Sequence, residues 1–147
     1  MRLTIDLDTD QAIVAPGVAT PVSTLNFKRS ATAALEVQFT RAGLAEELPA
    51  DALGVFQMKP AGKYDAGALV NAGSWVRIGS GSSALYRFTF SFITGALDSL
   101  FQVDGDPAND VPLLNLMAEL QWTSERFVHK TQTLSVAIAN DINRDMD

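Results

Sequence analysis

Apolar and polar residues alternate along much of this chain, and the run at residues 114–123 organises the rest. Leu114, Leu116, Ala118, Leu120 and Trp122 fall on one side of an extended backbone, with Asn115, Glu119 and Gln121 on the other. Successive side chains of a strand point to opposite faces, so this period of two predicts a half-buried strand. A second run, residues 131–140, puts Leu134, Val136 and Ile138 on one face and Thr133 and Ser135 on the other. The polar break Ser124-Glu125-Arg126 suits a tight reversal, and the two runs together predict a long antiparallel hairpin.

The same reading applies upstream. Leu3, Ile5 and Leu7 alternate with Thr4, Asp6 and Asp8, which predicts a first strand with an acidic outer face. Pro16 and Pro21 then interrupt pairing because proline has no N–H to donate, so residues 8–24 are expected to form an extended arm or loop. Leu25 and Phe27 begin a second strand, and Leu35, Val37 and Phe39 are the inward side of a third. Residues 44–49 fit a short strand and a single helical turn equally well. Residues 55–59 predict a strand ended by Pro60, residues 63–73 a long surface connection, and residues 75–78 another strand leading into the Gly- and Ser-rich loop 79–83.

Tyr86, Phe88, Phe90 and Phe92 share one face and are expected at the centre of the core, each buried ring contributing roughly 1.5–3 kcal/mol. Thr94 is placed to cap a short helix in which Leu97, Leu100 and Phe101 fall at i, i+3 and i+4. The sum is an all-β fold: an antiparallel β-sandwich of about seven or eight strands with one short helix, forming one domain over residues 1–147.

Composition is consistent with one core. A chain of this length buries roughly 68–70% of the surface its unfolded form exposes, and 47% hydrophobic with 19% charged residues argues against disorder. There is no cysteine, hence no disulfide and no thiolate metal site. A net charge of −6 opposes nucleic-acid binding, which depends on Lys and Arg neutralising phosphate. No apolar run approaches the roughly 18–20 residues that span a bilayer, so no membrane partner is expected. The first residues lack the apolar stretch of a signal peptide, which predicts synthesis and folding in the cytosol.

Candidate chemistry is sparse. Asp104, Asp106, Asn109 and Asp110 are hard oxygen donors of the kind calcium takes, but their spacing departs from an EF-hand loop, and a solvated acidic turn is the preferred reading. Asp6, Asp8 and Asp10 read as a solubilising strand edge. His129 is the single histidine, and no Gly-x-Ser-x-Gly elbow accompanies it. Glu36, Glu46, Glu47 and Glu119 are carboxylates a glycosidase pair would need, with nothing in the sequence to set two across a cleft; Glu119 reads as the solvent face of its strand. Gly79-Ser80-Gly81-Ser82 lacks the lysine of a phosphate loop. Tyr64, Trp75 and Trp122 are the aromatic candidates for stacking on a sugar. Trp122 faces the core; Trp75, beside Ser74 and Arg77, is the better exposed, although core or subunit interface is preferred for it. No catalytic residue and no cofactor motif emerges.

The order of several pieces resembles small virion proteins of tailed bacteriophages and prophages, including the N-terminal β domains of baseplate and tail-fibre proteins. The residues that carry the resemblance are Leu35-Glu36-Val37-Gln38-Phe39, Lys63-Tyr64-Asp65, residues 79–92 with Gly81 and Tyr86, residues 97–101, and Leu116-Met117-Ala118-Glu119-Leu120-Gln121-Trp122 followed by Thr131-Gln132-Thr133 and Ala139-Asn140-Asp141-Ile142. The resemblance implies a non-enzymatic assembly or attachment subunit of the tail, a baseplate or fibre connector, made in the host cytoplasm and located in the virion. Its partners would be other virion proteins and copies of itself, a trimer being favoured, with residues 8–24 as the arm that reaches a neighbour. A capsid decoration or head-fibre protein is one alternative. A carbohydrate-binding module for host recognition, with Tyr64 or Trp75 on a surface glycan, is the other.

Overall fold

The computed structural model describes residues 1–140; the polar residues 143–147, a candidate contact segment, lie outside the described residues. In chain order the elements are β1 (Arg2–Asp6), β2 (Gln11–Ala15), β3 (Val18–Pro21), β4 (Thr24–Lys28), β5 (Ala33–Arg41), β6 (Leu44–Ala45), β7 (Leu53–Pro60), β8 (Val70–Ser74), β9 (Val76–Ile78), β10 (Leu85–Phe90), α1 (Gly95–Phe101), β11 (Leu113–Ser124), β12 (Phe127–Lys130) and β13 (Leu134–Ala139). They form two sheets. The first runs β3-β2-β1-β5-β10-β9, with β6 paired to β5; the second runs β4-β13-β11-β7-β8, with β12 paired to β11.

The fold is an all-β sandwich with one short helix. The strands are more numerous than the alternation predicts: β2 and β3 fall in the expected arm, β8 begins inside the expected surface connection 63–73, and β12 is a four-residue strand just past the polar break. Both sheets are mixed: β1 lies parallel to β5, and β13 parallel to β4. Alternation reports which face a residue takes and says nothing of the direction of the neighbouring strand.

The organising hairpin is present in divided form. β11 turns at Glu125 and Arg126 into β12, with Ser124 opposite Phe127, and β13 then pairs with the first half of β11, Leu113 opposite Ala139. Inward residues fill the core. Leu35, Val37, Phe39, Phe88, Phe92, Leu120, Val136 and Ile138 are all fully buried, with Tyr86, Phe90 and Trp122 close behind. Phe39 meets Trp75, Tyr86 and Trp122 edge-on, with centroids 5.2 to 5.6 Å apart, a favoured arrangement of aromatic quadrupoles.

Three expectations need correction. The first is the arm: within residues 8–24, β2 and β3 form an edge hairpin of the first sheet. Gly17 turns it at a φ of +76°, and Pro21 ends the outermost strand, where a missing N–H removes no inner ladder bond. Gln132 ties it down from the second sheet: its Oε1 accepts from Ala12 N at 3.0 Å, and its Nε2 donates to Ala12 O at 3.0 Å and Val22 O at 3.2 Å. Secondly, Leu100 is 40% exposed whereas Leu97 and Phe101 are buried, because a helix of seven residues turns only one narrow stripe inward. The third is Trp75. The chain crosses there from β8 in the second sheet to β9 in the first, and the indole fills the seam, leaving only 9% of the residue exposed. It lies so close over Gly54 that a Cβ there would stand 2.1 Å from the ring. Burial removes Trp75 as a sugar platform. Among the described residues no helix is long and apolar enough to cross a membrane.

Candidate functional site

One end of the sandwich is closed by α1. Thr94 Oγ1 accepts from Leu97 N at 3.3 Å, the expected N-cap, and the helix seats Leu97 and Phe101 between the sheets. Arg29 lies beneath it with its side chain 2% exposed. The guanidinium pairs with Asp98 of the helix, donates to Asn140 Oδ1 at 3.3 Å, and sits 4.3 Å from the Phe101 ring centroid. An unpaired charge is expensive to bury, so these partners are what permit a cation there.

The other end is built by the β1–β2, β5–β6 and β11–β12 turns. They enclose a cleft of about 500 Å³ lined by Arg41, Glu46, Glu47, Trp122, Glu125, Phe127 and His129, among others. His129 is brought to it by hairpin register: Trp122 faces inward and His129 stands opposite it. The imidazole lies flat on the indole, centroids 5.3 Å apart and planes 11° apart. Its Nδ1 is 3.0 Å from Asp10 Oδ2; the carboxylate accepts, so Nδ1 carries the proton of this bond. No serine or threonine hydroxyl is hydrogen-bonded to the imidazole among the described residues, so the His–Asp pair has no attached nucleophile. Arg41 donates to Glu46 Oε2 at 3.1 Å, and Arg77 pairs with Glu47. Behind the cleft, Tyr86 Oη accepts from Leu48 N at 2.8 Å. Burial, followed by the charge of Glu47, pushes the phenol pKa above its usual value against the opposing effects of the Leu48 hydrogen bond and Arg77.

The aspartates of the first strand build turns. Asp6 accepts from Asp8 N at 2.9 Å, Asp8 from Ala42 N at 2.8 Å, and Asp10 holds His129. Asp10, Ala42, Glu125 and Arg126 all have φ between +52° and +71°, a left-handed conformation that costs a residue other than glycine on the order of 1–2 kcal/mol. Around this end Leu44, Phe127, Val128 and Leu53 are 74, 69, 64 and 61% exposed. Val128, Thr123 and Leu53 line up across β12, β11 and β7 on the outer face of the second sheet.

The remaining candidates are dispersed. Asp104 accepts from Asp106 N at 2.9 Å and Asn109 Nδ2 at 2.7 Å, and Asp106 accepts from Ala108 N at 3.0 Å, fixing a turn of 3-10 helix at Pro107–Asn109. Asp110 closes that turn, its N–H donating to Pro107 O at 3.2 Å. Among the described residues no group of three or more His, Cys, Asp or Glu is arranged to hold a metal. Tyr64 is 58% exposed beyond the Pro60 end of β7, whereas Trp75 packs at the Gly54 end, so the two do not share a surface. Glu36 pairs with Arg87 at 3.4 Å and Glu119 with Lys59 at 3.7 Å, each on the outer side of its sheet. Beside Glu36, a shallow depression of about 590 Å³ lies over Ala31, Ala33, Ala34 and Phe90. Sequence reasoning missed both the Asp10–His129–Trp122 stack and the Arg29 site. Only the turn-prone Asp-Thr-Asp at residues 8–10 gave a local signal for either.

No protein-family model matches the chain, and no curated protein matches it. Among solved structures it is similar to the N-terminal domain of phage TP901-1 ORF48, at 9% sequence identity and a TM-score of 0.43, over 95% of this chain and 97% of that one. That neighbour is a domain of a phage protein; a likeness of this size assigns no family.

Proposed function

We propose that the chain is a non-enzymatic virion subunit of a tailed phage that works through protein contacts, as an assembly or attachment module of the tail at a baseplate or fibre connector. The observation that supports the protein-contact role is the pair Leu53 and Val128, strongly exposed on either side of Thr123 on the outer face of the second sheet, with exposed Phe127 next to Val128 in β12. Neighbouring exposed apolar side chains on a sheet face mark contact surfaces, and scattered ones do not. The phage context comes from the resemblance of residues 35–39, 79–92 and 116–122 to small virion proteins.

Antibodies against the purified chain, applied to density-purified particles from its source, test the reading: labelling at the tail is expected, and absence of the chain from particles would overturn it. Light scattering coupled to size exclusion addresses self-association, where a trimer is the proposed state and a monomer at all concentrations would eliminate it.

A further inference from the structure

Residues 46–52 cross the turn end between β6 and β7 with no helix or strand of their own. Among the described residues, the one backbone bond from this segment to the rest of the chain runs from Glu46 N to Phe39 O, at 2.8 Å. The other ties run through side chains. Glu46 pairs with Arg41 and Glu47 with Arg77, all four partly exposed. Glu47 Oε2 also accepts from Gly81 N at 3.2 Å, and Tyr86 Oη accepts from Leu48 N at 2.8 Å. Leu48 is the single large apolar anchor, with Ala52 the other buried residue of the segment.

The segment is also a partition. Leu48 and Pro49 line the cleft of about 500 Å³ on one side and, on the other, a second hollow of about 290 Å³ walled by Ala52, Trp75, Arg77 and Tyr86. Trp122 lines the first hollow and Trp75 the second. Phe39 lies edge-on to both indoles, 5.2 Å from the centroid of Trp122 and 5.6 Å from that of Trp75. The two hollows therefore share one aromatic wall.

We propose that residues 46–50 form a strap that opens as a unit, without unfolding either sheet, joining the two hollows and uncovering Trp75 and Trp122. A segment held by one backbone bond and by partly exposed ion pairs sits at the low end of local stability, because such pairs contribute little and salt screens them. The β5–β10 ladder beneath it is untouched when it lifts. The strap belongs to the single chain and needs no partner, so it stands apart from the assembly reading.

Hydrogen exchange of the intact chain in low concentrations of urea tests the strap. The Leu48 amide should exchange at least about a hundredfold faster than the amides of β11 and with little dependence on urea, whereas β11 should follow global unfolding. Glu47→Ala removes the Arg77 pair and the Gly81 bond and should speed Leu48 exchange by about tenfold. Phe101→Ala, at the helical end, should speed exchange in β11 and leave Leu48 within about twofold of wild type. Acrylamide quenching of Trp75 and Trp122, the two tryptophans of the chain, should rise with salt as the Arg41 and Arg77 pairs are screened. Wild-type Leu48 exchange that matches β11 in rate and urea dependence would overturn the proposal whether or not any variant folds. A Glu47→Ala rate equal to wild type, a Leu48 rate that rises with β11 in Phe101→Ala, or quenching that salt leaves unchanged would each overturn it as well.

Discussion

α1 and the three turns close opposite ends of the same sandwich by different means. At the helical end the apolar groups Leu97 and Phe101 face inward, and the one buried cation, Arg29, has Asp98, Asn140 and the Phe101 ring around it. At the turn end Leu44 and Phe127 face solvent, and four residues hold left-handed conformations they do not favour. Each end reflects what its side chains can satisfy within the chain. The helical end holds a buried cation with its partners, whereas the turn end holds the left-handed turns and a stacked histidine on its cleft.

The contrast can be broken most severely at the helix. Phe101→Ala removes a fully buried ring and should lower stability by about 3–5 kcal/mol in a denaturant titration. Next, Asp98→Ala strands Arg29 and should cost about 2–3 kcal/mol, the carboxylate being itself 38% exposed. A loss below about 0.5 kcal/mol in either variant would end the idea that this end is the structural one.

At the turn end the expected effects are smaller. Tyr86→Phe leaves Leu48 N–H without its acceptor, for a loss of about 1–2 kcal/mol. Because burial raises the Tyr86 pKa, folding favours the neutral phenol. That contribution is fully present below the ordinary tyrosine value of about 10 and is lost as pH rises through the higher folded value. Wild type should therefore lose stability in that alkaline range and Tyr86→Phe should lose less, as thermal melts against pH would show.

Replacing Glu125-Arg126 by Asn-Gly suits the two left-handed positions and should raise stability by about 1 kcal/mol. A melting temperature that falls would contradict the assignment of strain there. The smallest change is expected from Phe127→Ser, within about 0.5 kcal/mol of wild type, since the ring is already 69% exposed. A large loss would mean that Phe127 serves the fold and not a partner.

Much of the fold was legible because alternation is local. Leu35, Val37 and Phe39, the Tyr86-to-Phe92 face, the Thr94 cap and the β11 strand all follow from neighbours along the chain, and the structure buries or bonds them as that pattern requires. The candidate site was not legible. Asp10 and His129 are 119 residues apart and meet only because β12 folds back on β11 beside the β1–β2 turn. Trp75 looked available among polar neighbours, yet Gly54, on the other side of a sheet crossing, makes room for it.

Sequence alone thus determined the class of fold, the inward faces and the absence of thiol chemistry, since each depends on residue type and on spacings of a few residues. Tertiary structure decided the parallel pairings, the folding of residues 8–24 into an edge hairpin, the burial of Trp75 and Arg29, and the gathering of left-handed turns at one end. These depend on which strands become neighbours, a choice set by the summed packing of the whole core that no short window of sequence contains.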